Sequence, residues 1–132
     1  MLRLVRRPLV ALVAAALALG GCGSGPSDAD QVRSAVLAFG RATAAKDYQR
    51  LCDELLAPRL VDEIKQAGLP CEAALQKGLG DVKDPKLTLG RVAVEGDSAT
   101  ADVRTSARGQ QPARATLKLT KVGGRWRIAS LG

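Results

Sequence analysis

The hydrophobic pattern of the chain changes its period after Asp84-Pro85, and this change constrains the fold more than any other feature. Before this point, apolar residues recur at the spacing of an amphipathic helix. After it, apolar and polar residues alternate, which is typical of strands that bury one face. Because the helical pattern comes first and the strands come last, the sequence predicts an α+β fold with N-terminal helices packed on an antiparallel sheet.

Four helices are predicted from capping residues and apolar stripes. Ser, Asp and Pro are favoured at helix starts, and Gly is favoured just past helix ends. The expected boundaries are Ser27 or Asp28 and Asp47 as N-terminal caps, Pro58 and Gly68 around the third helix, and Pro70 to Gly78 for the fourth. The apolar stripe of the first helix is Val32, Val36, Phe39 and Ala42.

Four strands follow, separated by turn sequences. Glu95-Gly96-Asp97 and Gly123-Gly124 are tight-turn sequences, and residues 108–112 form a longer polar loop. In the first strand the alternation slips at Gly90-Arg91, as a β-bulge would cause. We therefore expect a curved four-stranded antiparallel meander with one apolar and one polar face.

The N-terminus has the features of a bacterial export signal. A basic segment, residues 1–7, precedes an apolar run of 14 residues, 8–21, and a membrane span needs about 20. Leu19-Gly20-Gly21-Cys22 resembles a lipobox, in which the cysteine is acylated. The pattern predicts a lipoprotein signal peptide (1–21), an acylated Cys22 with a flexible tether (22–27) and one domain (28–132).

This interpretation predicts a lipid-anchored protein on the extracytoplasmic face of the cell membrane. An uncleaved anchor and ordinary cleavage beside a chance cysteine are the alternatives. Arg6-Arg7 leaves the export route open between the general secretory and the twin-arginine pathway.

Two cysteines remain after Cys22, and an exported protein meets an oxidising compartment. Because these two remaining cysteines can pair with each other, the sequence predicts one structural disulfide between Cys52 and Cys71. Two free buried thiols are the alternative.

The element order, ending in Gly124-Arg125-Trp126-Arg127-Ile128, resembles the nuclear transport factor 2-like (NTF2-like) superfamily. More narrowly, the chain is similar to small actinobacterial lipoproteins of that fold, which pair a lipobox with two later cysteines. The resemblance covers about residues 28–132 and implies helices packed on a curved sheet. Relatives include ketosteroid isomerases, dehydratases and polyketide cyclases, which use Asp, His or Tyr inside a cone-shaped pocket, and others have no known activity.

The chain has no histidine, which removes the commonest general base and metal ligand. Because successive side chains of a strand point to opposite faces, Ala101 and Val103 are expected on the apolar face of the sheet. Asp102 is then expected on the polar face, away from any pocket. Tyr48 could line a pocket mouth, although packing between helices is the simpler role. We therefore expect a non-catalytic domain without a cofactor or metal, which binds a partner or small ligand. An isomerase- or cyclase-like enzyme and a purely structural envelope component are the alternatives.

The second half of the chain is basic: residues 85–132 carry nine basic and three acidic side chains. Parity places five of the basic residues on the polar face of the sheet, and we call them the basic face: Arg104, Arg114, Lys118, Arg125 and Arg127. They either keep the sheet soluble or dock on anionic lipids or an envelope polymer. Nucleic acid is not an expected partner, because aromatic platforms for bases are missing. The charged face also favours a monomer.

Overall fold

The computed structural model of the chain describes residues 25–132, so that Cys22 and the predicted signal peptide lie outside the described residues. The helical half comprises α1 (Asp28–Ala44), α2 (Tyr48–Arg50) with a π-helix (Leu51–Leu55), α3 (Pro58–Gln66) and α4 (Cys71–Leu79). The sheet comprises β1 (Lys86–Glu95), β2 (Ser98–Ser106), β3 (Ala113–Val122) and β4 (Arg125–Ser130). Helices therefore precede strands as predicted, and the α+β fold class is confirmed.

Helix α1 begins where the capping residues predict. The Ser27 hydroxyl accepts a hydrogen bond from the Asp30 backbone N–H at 3.1 Å, which satisfies one of the donors left open at a helix start. Its stripe of small and branched side chains, including Val32 and Val36, is buried against the sheet. Among residues 25–132, no helix combines the length and apolar character needed to cross a bilayer.

The second helix differs from the continuous α-helix that the sequence predicted. After one turn it widens into the π-helix, whose extra residue per turn alters which side chains face inward. Leu51, Cys52 and Leu55 are all buried there, while Asp53 and Glu54 stay exposed. This short segment thus buries three side chains against its neighbours.

The four strands form an antiparallel meander in the order β1-β2-β3-β4. The register of β1 against β2 shifts between Leu89 and Val92, which confirms the predicted bulge. A Cβ atom built on Gly90 would lie 3.1 Å from the Asp102 carbonyl oxygen, so the close approach of the strands favours glycine.

The sheet is open, and its β4 edge is covered by the chain that links the π-helix to α3. The Ala57 N–H donates to the Ile128 carbonyl at 2.7 Å, and Leu56 pairs with Ile128 in a parallel bridge. Strand edges expose unpaired backbone groups that invite association. This contact satisfies part of the β4 edge within the chain.

The core lies between the helices and the inner sheet face. Val32 and Val36 of α1 pack with Ala101, Trp126 and Ile128 of the sheet. A smaller cluster joins α1 to the π-helix and contains Ala38, Ala42, Leu51 and Leu55. The core is thus built mainly from aliphatic and small side chains, as the scarcity of aromatic residues requires.

Cys52 and Cys71 form a disulfide, as predicted, with their Cα atoms 6.0 Å apart. The bond joins the π-helix to the first residue of α4. Cys71 is the one buried residue of α4. The disulfide is therefore the main buried attachment of that helix.

Candidate functional site

An apolar cavity of about 350 Å³ lies between the helices and the inner sheet face, and we call it the inner cavity. Small-molecule sites in proteins typically measure roughly 300–1,000 Å³, so this volume lies at the lower end of that range. The helical walls come from α1, the π-helix and α4, and the floor comes from β1, β2 and β3. The main wall and floor residues are Phe39, Gly40, Thr43, Leu51, Leu56, Leu75, Leu79, Leu87, Val103, Ala115 and Leu117.

Small side chains explain why the space is left open. Ala113 and Ala115 begin the inner face of β3, whereas Leu117 and Leu119 continue it. Gly40 brings α1 close to β1, since a Cβ atom at this position would lie 3.2 Å from the Leu87 Cβ. The helix packs on the strand here without a side chain, and the adjoining alanines do not fill the remaining volume.

The polar groups of the inner cavity are few and concentrated toward its exposed end. They come from Thr105, Ser106, Gln110 and Gln111 of β2 and the loop after it, and from Lys86 at the start of β1. Deeper in the cavity wall, Thr43 already donates its hydroxyl to the Phe39 carbonyl at 2.8 Å. The cavity can therefore enclose an apolar group and offer hydrogen bonds at its mouth.

No carboxylate or imidazole lines the inner cavity in the described part of the chain. Asp102 lies on the outer sheet face, as parity predicted, where it accepts a hydrogen bond from Thr116 at 3.0 Å. Tyr48 packs against the second cluster and does not line this cavity. Phe39, expected in the core, packs on both clusters and also lines the cavity.

Residues 25–132 contain no cluster of three or more Cys, Asp or Glu side chains that could hold a metal ion. The two cysteines in this range are bound to each other. The inner cavity itself offers apolar side chains along its walls and hydroxyl and amide groups at its exposed end.

The basic face is formed on the outer side of the sheet. Arg104 of β2 lies directly opposite Arg114 of β3, and neither side chain forms an ion pair with a carboxylate of residues 25–132. Like charges directly opposite each other destabilise a sheet unless solvent or an anion separates them. Lys118 and Arg125 follow on the same face and are exposed.

Arg127 differs from the other four basic-face residues. Its side chain is half-buried, and its Nη1 donates to the Asp53 carbonyl of the π-helix at 3.1 Å. A cation at the carbonyl end of a helix is favourable because those carbonyls lack partners within the helix. Arg127 therefore helps hold β4 to the helical layer, a role that strand parity did not reveal.

A second polar contact fixes the start of α1. The Asp28 carboxylate accepts hydrogen bonds from Lys121 Nζ at 2.9 Å and from Trp126 Nε1 at 3.2 Å. The hydrogen bond from Lys121, followed by that from Trp126, lowers the pKa of Asp28 below its usual value. These groups lie beside the β3–β4 turn, so the chain before Asp28 leaves the domain at that end of the sheet.

The sequence indicates only a helix-start role for Asp28 and does not reveal its contact with Lys121 and Trp126. Asp28 lies 93 positions before Lys121 and 98 positions before Trp126 along the chain. The sequence carried only one weak indication of this contact. The indole N–H of a buried tryptophan, here Trp126, usually finds a hydrogen-bond acceptor.

No protein-family model and no curated protein sequence matches the chain. Solved structures do match it. A candidate dehydratase of the NTF2-like family from Streptomyces avermitilis has a TM-score of 0.55 and 19% sequence identity, over 76% of this chain and 90% of that chain. An NTF2-like protein of unknown function from Silicibacter pomeroyi has a TM-score of 0.53 and 17% identity, over 76% and 88% of the two chains.

A third match is a candidate NTF2-like transpeptidase from Campylobacter jejuni, with a TM-score of 0.53 and 11% identity over 75% of this chain and 97% of that chain. Structural matches at this level of sequence identity establish a shared fold, but the activity of a matched protein cannot be transferred to this chain. The resemblance noted in the sequence is thereby confirmed at the level of the fold: the chain adopts the NTF2-like fold, with helices packed on an open four-stranded antiparallel sheet.

Proposed function

We propose that this chain is a lipid-anchored bacterial envelope protein whose exported domain binds an apolar small molecule in the inner cavity. The observation that carries the binding role is the cavity itself, about 350 Å³ in volume and lined mainly by Leu, Val, Phe and Ala. Ligand sites are typically apolar enclosures with a few polar groups that orient the ligand. The polar residues at the exposed end fit that description.

An isomerase- or cyclase-like enzyme is the competing function. Proton transfer next to a bound ligand needs a general acid or base within hydrogen-bond reach. Lys86 is the one Lys, Arg, Asp, Glu or Tyr among the described lining residues, and it lies exposed. This composition favours binding over catalysis. A purely structural envelope component, the third function considered, would bind no ligand.

The cavity role is tested by filling the space with one side chain. Ala115 is half-buried and lines the cavity, so Ala115→Leu adds apolar volume to its floor. Ala93→Leu is the matched control, because Ala93 is exposed on β1 and does not line the cavity. Decanol binding, followed by calorimetry, should weaken at least about tenfold in Ala115→Leu, since about 1.4 kcal/mol of lost contact corresponds to that factor.

The control should bind decanol as the unmodified chain does, and circular dichroism should show that both variants are folded. Equal decanol binding by Ala115→Leu and Ala93→Leu would place the ligand elsewhere. No decanol binding by any form would remove the binding role and favour the structural alternative.

The lipid anchor rests on the lipobox. Mass spectrometry of the protein from native membranes should find an acylated Cys22 as the first residue, and Cys22→Ala should release the protein from the membrane. An unmodified Cys22, or retention of residues 1–21, would overturn this part of the proposal.

We also propose that the basic face docks on the anionic membrane surface to which the tether leads. The Arg104–Arg114 pair supports this role, because neither guanidinium group forms an ion pair among the described residues and an anion between them would relieve their repulsion. The tether of residues 22–27 reaches at most roughly 20 Å. From Val122, at the β3–β4 turn, to Arg114 the strand runs about 27 Å at about 3.4 Å per residue, which is longer than the tether. The pair therefore reaches the membrane only when the sheet lies flat on it.

A further inference from the structure

A second depression opens beside the inner cavity and is lined by charged residues. We call it the basic basin: Lys46, Lys83, Asp84, Lys86 and Arg108, with Ala44, Val82 and Pro85 between them. It shares Val82, Pro85 and Lys86 with the lining of the inner cavity. An apolar enclosure and a cationic depression thus meet at one boundary.

The basin carries four cationic side chains and one carboxylate. Arg108 pairs with Asp84, and its backbone N–H donates to the Lys83 carbonyl at 2.8 Å. These contacts hold the β2–β3 loop against the segment before β1. Lys83 and Lys86 form no ion pair with a carboxylate of the described chain, so positive charge remains at the junction with the inner cavity.

The backbone of the basin is also unusual. Lys46 and Asp84 have φ angles of 53° and 49°, and they are the only residues other than glycine with positive φ in the described part of the chain. Lys46 directly follows the C-cap residue of α1, a position where glycine is preferred. Asp84 precedes Pro85, and a residue before proline favours extended backbone. Strained backbone of this kind concentrates at ligand sites. Both residues line the basin.

We infer that the ligand is an amphiphilic anion, whose apolar body occupies the inner cavity and whose phosphate or carboxylate head lies in the basic basin. This inference rests on the proposed binding role of the cavity and adds the charge and polarity of its ligand. Lys83 and Lys86 supply the attraction for the head group. The Arg108–Asp84 pair positions the two segments that carry them.

The test compares decyl phosphate, decanol and inorganic phosphate by calorimetry, using the full chain with Cys22→Ala so that no attached acyl group competes. Decyl phosphate should bind about tenfold more tightly than decanol, which lacks the anionic head. In Lys83→Gln/Lys86→Gln its affinity should fall about fivefold to tenfold, because each exposed charge contact is worth under about 1 kcal/mol. Decanol affinity should stay unchanged in Lys83→Gln alone, because Lys83 lines the basic basin and not the inner cavity.

The matched control is Lys65→Gln/Lys77→Gln, which removes the same charge from exposed residues of α3 and α4 that line neither depression. This control should bind decyl phosphate as the starting chain does. An equal loss in both double variants would overturn the inference, since only net charge would then matter.

Other outcomes separate this inference from the function on which it rests. Decanol and decyl phosphate binding with equal affinity would overturn the anionic head group and leave the apolar cavity site intact. Inorganic phosphate binding as tightly as decyl phosphate would overturn the amphiphile and indicate a site for free phosphate. Binding of neither decyl compound would overturn both proposals.

Discussion

Removal of the Cys52–Cys71 disulfide should loosen α4 and thereby weaken the wall of the inner cavity. The bond closes a loop with a sequence separation of 19. Restricting the unfolded chain over a loop of this size stabilises the folded state by about 3 kcal/mol in the chain-entropy description. Cys71 is the one buried residue of α4, and Leu75 and Leu79 of the same helix line the cavity. Little other burial is therefore available to hold the helix.

The assay is urea unfolding of the oxidised chain and of Cys52→Ala/Cys71→Ala, followed by circular dichroism. Small domains have slopes of roughly 1–3 kcal/mol per molar urea, so a loss of about 3 kcal/mol lowers the midpoint by about 1–3 M. The unmutated chain under reducing conditions is the matched control, because it keeps both sulfur atoms and lacks only the bond. Amide exchange should accelerate in α4 before it does so in β2 and β3.

Similar losses in the reduced chain and the double variant would assign the effect to the covalent bond. A larger loss in the double variant alone would assign the difference to packing of the sulfur atoms. A loss below about 1 kcal/mol in both forms would refute the reasoning, because it would show that contacts other than the disulfide hold α4. Decanol binding should weaken in both forms, since two cavity residues move with the helix.

The remaining predictions concern charged groups. The pKa of Asp28 is lowered in the folded state, so its ionised form stabilises the fold above the unfolded pKa of about 4, and this stability is lost as pH falls through the folded value. Asp28→Asn should therefore lower the urea midpoint at neutral pH, with the difference shrinking in acid; a pH-independent difference would contradict this. Arg114→Glu/Lys118→Glu should reduce sedimentation with anionic vesicles at least about tenfold relative to Lys65→Glu/Lys77→Glu. Equal sedimentation of the two variants would leave the basic face as a solvated surface.

Much of the architecture could be predicted because local patterns carry it. The change of period at Asp84-Pro85 separates helices from strands, and period-two alternation assigns each strand residue to a face. Asp102 and Val103 illustrate this, since they lie on opposite faces as predicted. The bulge at Gly90 could be predicted for the same reason, because it breaks the alternation of apolar and polar residues within β1 itself.

The π-helix was not predictable from the same patterns. Residues 51–55 have apolar spacing that fits an ordinary helix, and propensity is a weak guide when packing decides the outcome. The wider turn is recorded only in the backbone, where the Leu56 N–H donates to the Leu51 carbonyl five residues earlier at 2.8 Å. Arg127 is a comparable case, because its contact with Asp53 depends on where the π-helix ends relative to β4.

The sequence by itself therefore determined the element order, the two faces of the sheet, the pairing of Cys52 with Cys71 and the charge of the second half. Only the tertiary structure decided that an apolar cavity remains beneath α4 and that a basic basin adjoins it. Both depend on side chains from the end of α1, the segment before β1 and the β2–β3 loop, which are distant in the chain. The volume of a cavity depends on how such distant segments pack against one another, so it cannot be predicted from the local pattern of residues in any one segment.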